Sequence, residues 1–160
     1  MEAVIYYEEV PLTQWATIMI GIFIVALTPV AILEYFAVSR EPALLWLYSV
    51  FDLIFIALML NFRRMIIKIS PEKVTVSFGV IRKTVKLEDI TGFERINATL
   101  SVYTGMGVRY GGDGSLGFLP RLGEAVKLSL VSGRPLVFST DNSERVLEIL
   151  QRYCENKADE

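Results

Sequence analysis

One carboxyl group, Asp52, stands inside an apolar run over residues 43–62, and its chemistry is the first thing in this sequence that needs explaining. In the middle of a hydrocarbon layer an acidic side chain costs about 2.5 to 3.5 kcal/mol, so it must be either paired or functional. Tyr48 and Ser49 lie three to four positions earlier and share its helix face. The preceding apolar run, residues 15–33, carries Gln14, Gly21, Thr28 and Tyr35 within it and at its edges, one every seven residues. Such a stripe of small and polar groups suits close helix packing. Folding the two runs back on each other about Arg40 brings Asp52 level with Thr28 and Pro29. Pro29 has no N–H to give the carbonyl of Val25. A protonated Asp52 can donate to that carbonyl, and the Thr28 hydroxyl can donate to Asp52 in either state. Gly21, Thr28, Pro29, Ser49 and Asp52 are therefore read as an intramembrane polar and packing set. With two helices and no second charge at that depth, a neutral packing or oligomer contact is the preferred role of Asp52. The rival is a small proton- or ion-coupled accessory subunit built on it.

Basic side chains form two further groups. Arg63, Arg64 and Lys68 follow the second run directly, and each contributes on the order of 1 kcal/mol near an anionic lipid surface. They are read as headgroup and membrane-surface contacts. Arg82, Lys83 and Lys86 fall in a stretch of alternating polarity and form a candidate anionic-ligand face, weighed against a merely solvated strand. Catalytic chemistry has little to work with. The chain has no histidine and one cysteine, Cys154, which excludes an internal disulfide, a structural zinc site and a histidine-activated thiolate. Glu88 and Asp89 are adjacent, with no nucleophile beside them. The glycines between residues 105 and 117 lack the order G-x-G-x-x-G and the ending G-K-[ST] of a phosphate-cradling loop, and hairpin turns account for them. No enzyme activity, cofactor or metal is expected.

These groups must be held by elements of two kinds. The 160 residues are 52% hydrophobic with mean hydropathy +0.44, and the apolar excess lies in the first 62 positions. Each run, as helix at about 1.5 Å per residue, reaches across a hydrocarbon core of about 30 Å. Residues 1–11 hold three glutamates and no basic residue, unlike a signal peptide, so the first run reads as an uncleaved membrane segment. Basic residues crowd the far end of the second run while Arg40 stands alone between the runs, which places both termini in the cytoplasm. The expectation is a multi-pass protein of the cell membrane. A transmembrane hairpin occupies residues 1–64, with helices at about 12–38 and 43–64, and a cytoplasmic domain occupies residues 65–160. Net charge is −2, with no dense basic stripe, and this argues against nucleic acid as a partner.

After Arg64 the period changes to two. Val74, Val76 and Phe78 alternate with Thr75 and Ser77, Val85 and Leu87 with Thr84 and Lys86, and Val126, Leu128 and Leu130 with Lys127 and Ser129. Turn signals at Pro71, Gly79, residues 111–114 and Gly133 separate these segments. Seven or eight short strands between residues 65 and 139 suit an antiparallel sandwich or barrel. Asp141 with Glu144 has the spacing of a capping box, and Val146, Leu147, Leu150 and Tyr153 then recur at helical intervals, predicting a helix at about 142–154.

The segments I-S-P-E-K-V-T-V-S-F-G-V-I-R-K-T-V-K-L-E-D-I (residues 69–90), G-M-G-V-R-Y (105–110) and A-V-K-L-S-L-V-S-G-R-P-L-V-F-S-T-D-N-S-E-R-V-L-E-I-L (125–150) resemble bacterial and archaeal pleckstrin-homology-like domains. The resemblance covers residues from about 65 to 153. It implies a seven-stranded barrel-like sandwich capped by one helix, often carried behind membrane helices, and names no ligand. Relatives that grip phosphoinositides use a K-x-R cluster between their first two strands. Here that turn, Ser70 to Lys73, supplies one lysine beside Glu72, so that activity does not carry over. The combined expectation is an α+β protein: a two-helix transmembrane hairpin followed by a PH-like antiparallel β-barrel or sandwich with a C-terminal helix. Its expected function is a membrane-anchored, non-catalytic module that engages a protein segment or anionic lipid along its surface or an unpaired strand edge. Membrane lipid, a protein partner and a second copy joined through the hairpin are the expected partners.

Overall fold

The computed structural model describes residues 4–36 and 42–158, so the Arg40 turn on which the orientation argument leaned lies outside the described residues. The chain divides into two compact units, one of Met1–Pro11 with Arg64–Glu160 and one of Leu12–Arg63.

The second unit is a pair of helices, α1 (Gln14–Glu34) and α2 (Pro42–Asn61). Phe23 and Phe55 meet across them with ring centroids 5.2 Å apart. Among the described residues no helix is long and apolar enough to cross a membrane. α1 carries Thr28 and Pro29 within it, and α2 carries Tyr48, Ser49 and Asp52. A crossing takes about 20 predominantly apolar residues. The transmembrane hairpin is thus corrected to a helix pair, and the multi-pass membrane location, which rested on two crossing helices, is corrected with it.

The first unit is α+β. Strand β1 (Tyr6–Pro11) precedes the helix pair, and β2 (Arg64–Ile69), β3 (Lys73–Phe78) and β4 (Ile81–Lys86) follow it. They form an antiparallel sheet in the order β1-β2-β3-β4, with Pro11 opposite Arg64, so the helix pair is inserted between two hydrogen-bonded neighbours. A 3-10 turn at Leu87–Asp89 then leads into the second sheet. Its strands are β5 (Ile90–Ala98), β6 (Gly107–Tyr110), β7 (Leu116–Leu119), β8 (Gly123–Leu130) and β9 (Leu136–Ser139), in the order β5-β8-β9-β7-β6. A short helix α3 (Leu100–Tyr103) links β5 to β6, and α4 (Ser143–Ala158) follows β9 and lies against β5 and β8.

The alternation expected from the sequence is visible as one buried face per strand. In the first sheet Met65, Ile67, Ile69, Val74, Val76 and Phe78 are at most 2% exposed, while Thr75 and Ser77 face outward. In the second sheet Phe118, Val126, Leu128, Leu136 and Phe138 are equally buried, joined by Val146 and Leu150 of α4. β9 is buried on both faces, because Val137 packs on the far side with Ala98, Tyr103, Leu119 and Ala125.

Two features differ from a closed antiparallel barrel. β7 and β9 run parallel, and among the described residues no strand of one sheet pairs with a strand of the other. The 3-10 turn, anchored by buried Leu87 and by its N–H on the Glu72 carbonyl at 2.9 Å, redirects the chain before β4 and β5 can pair. Nor does Asp141 cap α4 with Glu144. Its carboxylate pairs with Arg121, and α4 begins at Ser143.

What ties β1 to the far end of the unit is a carboxylate. Glu8, 9% exposed, accepts from the Tyr6 hydroxyl at 2.7 Å, the Thr140 hydroxyl at 2.6 Å and the Asp141 N–H at 2.6 Å. Burial, followed by the hydrogen bond to Glu8, pushes the Tyr6 phenol from 10.0 up to about 12. A group whose folded pKa is raised stabilises the fold fully below its unfolded pKa and loses that contribution as pH climbs through the folded value. Thermal midpoints of the parent are therefore expected to fall between pH 10 and about 12 by more than those of Tyr6→Phe. Parallel curves for the two proteins would count against this coupling.

Candidate functional site

Cross-strand register decides which polar side chains meet on the outer face of the first sheet. Ile66, Ser77 and Arg82 form one row across β2, β3 and β4, and Lys68, Thr75 and Thr84 form the next. Lys73 and Lys86 pair in a third. The first two rows and Lys73 line a shallow groove of about 260 Å³, bordered by Val4 and Ser70, with Lys68, Lys73 and Arg82 in its lining and no carboxylate. Hydroxyls floor it, with the Thr75 and Thr84 oxygens 3.2 Å apart and the Ser77 hydroxyl turned to the Ile66 carbonyl at 3.5 Å.

The surrounding charges are arranged in pairs. Arg64 pairs with Glu9, which also accepts from the Tyr7 hydroxyl at 2.5 Å. The Tyr7 bond and then Arg64 hold the Glu9 carboxyl below its ordinary range, and the same bond raises the Tyr7 phenol. Lys68 reaches over the Tyr7 ring, 5.6 Å from its centroid. Lys86 meets Glu88 at 2.9 Å, which raises the lysine's pKa. Arg82 makes no ion pair among the described residues.

The structure thus regroups the residues singled out from sequence. Arg82 and Lys86 share the outer face with Arg64 and Lys68, whereas Lys83 stands opposite Val76 on the other face of β4. Arg63 is exposed at the end of the helical unit. Thr75, Ser77 and Thr84 were visible in the sequence as the polar half of a strand alternation. What joins them to Lys68 and Arg82 is the register of three strands.

The helical set is partly brought together. Thr28 Oγ1 lies 3.0 Å from Asp52 Oδ2 and 2.9 Å from the Ile24 carbonyl, the acceptor one turn back in α1. Asp52 Oδ1 is buried with no hydrogen-bond partner among the described residues. Ser49 is exposed on α2 and Pro29 on α1, and a Cβ built at Gly21 would meet nothing within 4 Å. Gly21 is therefore not a point of close helix approach within the chain.

A larger polar hollow lies at the start of α4, but its arginines are outnumbered by carboxylates. Arg95 faces Glu144 at 3.5 Å and Glu124 at 4.0 Å, and Arg145 meets Glu148 at 2.6 Å. Two arginines against four carboxylates leave it no net cationic pull. The first-sheet groove is the candidate because its lining is of one sign. Comparison with family models, with curated proteins and with solved structures finds no match to this chain.

Proposed function

We propose that the first unit is a non-catalytic binding module that takes an extended acidic protein segment along the free edge of β4. The observation that carries this reading is the edge itself. Among the described residues β4 pairs only with β3, five of its six residues are exposed, and Arg82, Lys83 and Lys86 make it basic on both faces. An added strand supplies main-chain hydrogen bonds to such an edge, and its alternate side chains fall on opposite faces of the sheet. Acidic residues on one face would meet Arg82, and Lys86 in competition with Glu88, while those on the other would meet Lys83. The resemblance to pleckstrin-homology-like modules belongs to the same proposal, supported by the order of a first sheet, a second sheet and a closing helix.

Fluorescence anisotropy on the full chain tests the reading, in a non-ionic detergent because both helices expose apolar side chains. A labelled peptide alternating glutamate and valine should bind. An Arg82→Glu, Lys83→Glu double variant should weaken it at least tenfold, about 1.4 kcal/mol. Charged side chains also serve as blocks against edge-to-edge pairing. If glutamine in place of glutamate binds equally well, or if bound peptide leaves the β4 amides unprotected from exchange, the edge has that defensive role and the proposal fails.

A further inference from the structure

We propose that the groove on the outer face of the first sheet is a phosphate-binding site, formed by Lys68 and Arg82 over the hydroxyls of Thr75, Ser77 and Thr84. The ligand class is the phosphate dianion, free or as a monoester.

Three features point to that chemistry. Sign comes first: the lining holds Lys68, Lys73 and Arg82 and no carboxylate. Glu9 pairs with Arg64 and Glu88 with Lys86. Lys73 also borders the adjoining hollow with Glu72 and Glu88, so Lys68 and Arg82 carry the site. Geometry comes second. Lys68 on β2 and Arg82 on β4 flank β3 and are offset by one row, so sheet spacing puts their Cα atoms about 12 Å apart. Lys68 reaches toward β1, over the Tyr7 ring, and swung back across β3 it would meet Arg82 above Thr75 and Ser77, where a tetrahedral anion could touch both. Arg82 offers a planar fork suited to two phosphate oxygens, and Lys68 a single strong donor.

Donor count comes third. Thr75 and Thr84 share one hydrogen bond at 3.2 Å, which uses one of their two protons and leaves the other to be given to a ligand. Ser77 has only a long 3.5 Å bond to the Ile66 carbonyl to give up. The groove therefore presents two hydroxyl donors and two cationic groups to one small volume, and phosphate has the oxygens to accept from all of them. A carboxylate offers about four acceptor sites, all in one plane, whereas the phosphate oxygens are spread tetrahedrally toward donors that come from the floor and from both sides.

This site goes beyond the β4 edge, because its floor belongs to β3. In amide NMR of the full chain, inorganic phosphate should give saturable shifts confined to residues 66–68, 75–77 and 82–84, with chloride at equal ionic strength giving none. A Thr75→Val, Ser77→Ala double variant keeps the charges and the side-chain volumes nearly intact. It should weaken phosphate at least tenfold while the acidic peptide still binds, and Lys68→Gln should weaken phosphate alone in the same way. O-phosphoserine and glycerol 3-phosphate, titrated in parallel, tell a peptide source from a lipid-type source by the tighter of the two. Shifts reproduced by chloride, or a double variant that binds phosphate as the parent does, overturn the site whatever the peptide result.

Discussion

Glu8→Ala is expected to destabilise the β-rich unit by about 3 kcal/mol, with Glu8→Gln costing about half as much. The carboxylate is buried and accepts three hydrogen bonds, from Tyr6, Thr140 and the Asp141 backbone. Bonds to a charged acceptor contribute about 1.5 to 3 kcal/mol each, and a buried donor left without a partner costs a comparable amount. Alanine removes the acceptor for all three at once. Glutamine keeps the shape and one acceptor oxygen, but sets an NH2 group against a donor. Two of the bonds, from Thr140 and Asp141, join β1 to the segment between β9 and α4, so the loss should be felt at both ends of the unit. Tryptophan fluorescence will not report it, because Trp15 and Trp46 both lie in the helical unit. Amide exchange on β2 and β9 in urea is the suitable measurement. An alanine variant within about 0.5 kcal/mol of the parent would falsify the account.

That carboxylate also shows where sequence reading reaches its limit. The strands with short-range alternation were legible: Val74, Val76 and Phe78 against Thr75 and Ser77, and Val126 and Leu128 against Lys127, all end up on the faces their period demands. α4 was legible too, as the burial of Val146 and Leu150 shows, though it runs to Ala158 rather than about 154. β1 was not, because its inward positions are Tyr6, Glu8 and Val10, and an inward glutamate disguises the alternation. Its partner Ile69 is also far along the chain, beyond the helix pair.

The same non-locality hid three other features. The parallel pairing of β7 with β9, the separation of the two sheets and the Asp141 pair with Arg121 all depend on contacts that no local pattern encodes. The candidate groove falls between these cases. Each strand's polar face could be read separately, and the chemistry arises only when register sets Lys68, Thr75 and Thr84 in one row beside Ser77 and Arg82. The helix pair failed for another reason. Its apolar composition suggested two crossing segments, whereas among the described residues no helix is long and apolar enough to cross a membrane.

Tyr103→Ala should cost about 4 kcal/mol and Tyr103→Phe only about 1 kcal/mol, because the ring and the hydroxyl do separable things. The ring is 1% exposed and packs with Ala98, Leu119, Ala125 and Val137 on the far face of the second sheet. Two glycines make room for it. A Cβ on Gly117 would lie 3.1 Å from the ring carbons Cδ1 and Cε1, and one on Gly111 would lie 2.8 Å from Cε1. Glycines have no side chain with which to fill the space that alanine would leave, so the cavity term should sit near the top of its range. The hydroxyl meets Ser115 Oγ at 2.9 Å, yet Ser115 also donates to Asp113 at 2.6 Å, and Asp113 is held by Lys127 at 3.1 Å. Phenylalanine therefore leaves no orphaned group behind. A double-mutant cycle separates this explanation from a general loss of packing. Gly117→Ala alone should destabilise, since its methyl meets the ring, whereas in the Tyr103→Ala background the same methyl enters vacated space and should stabilise. A Cβ on Gly117 would also lie 3.1 Å from Leu119 Cδ1, so if Gly117→Ala costs the same in both backgrounds, the glycine makes room for Leu119 and not for the tyrosine.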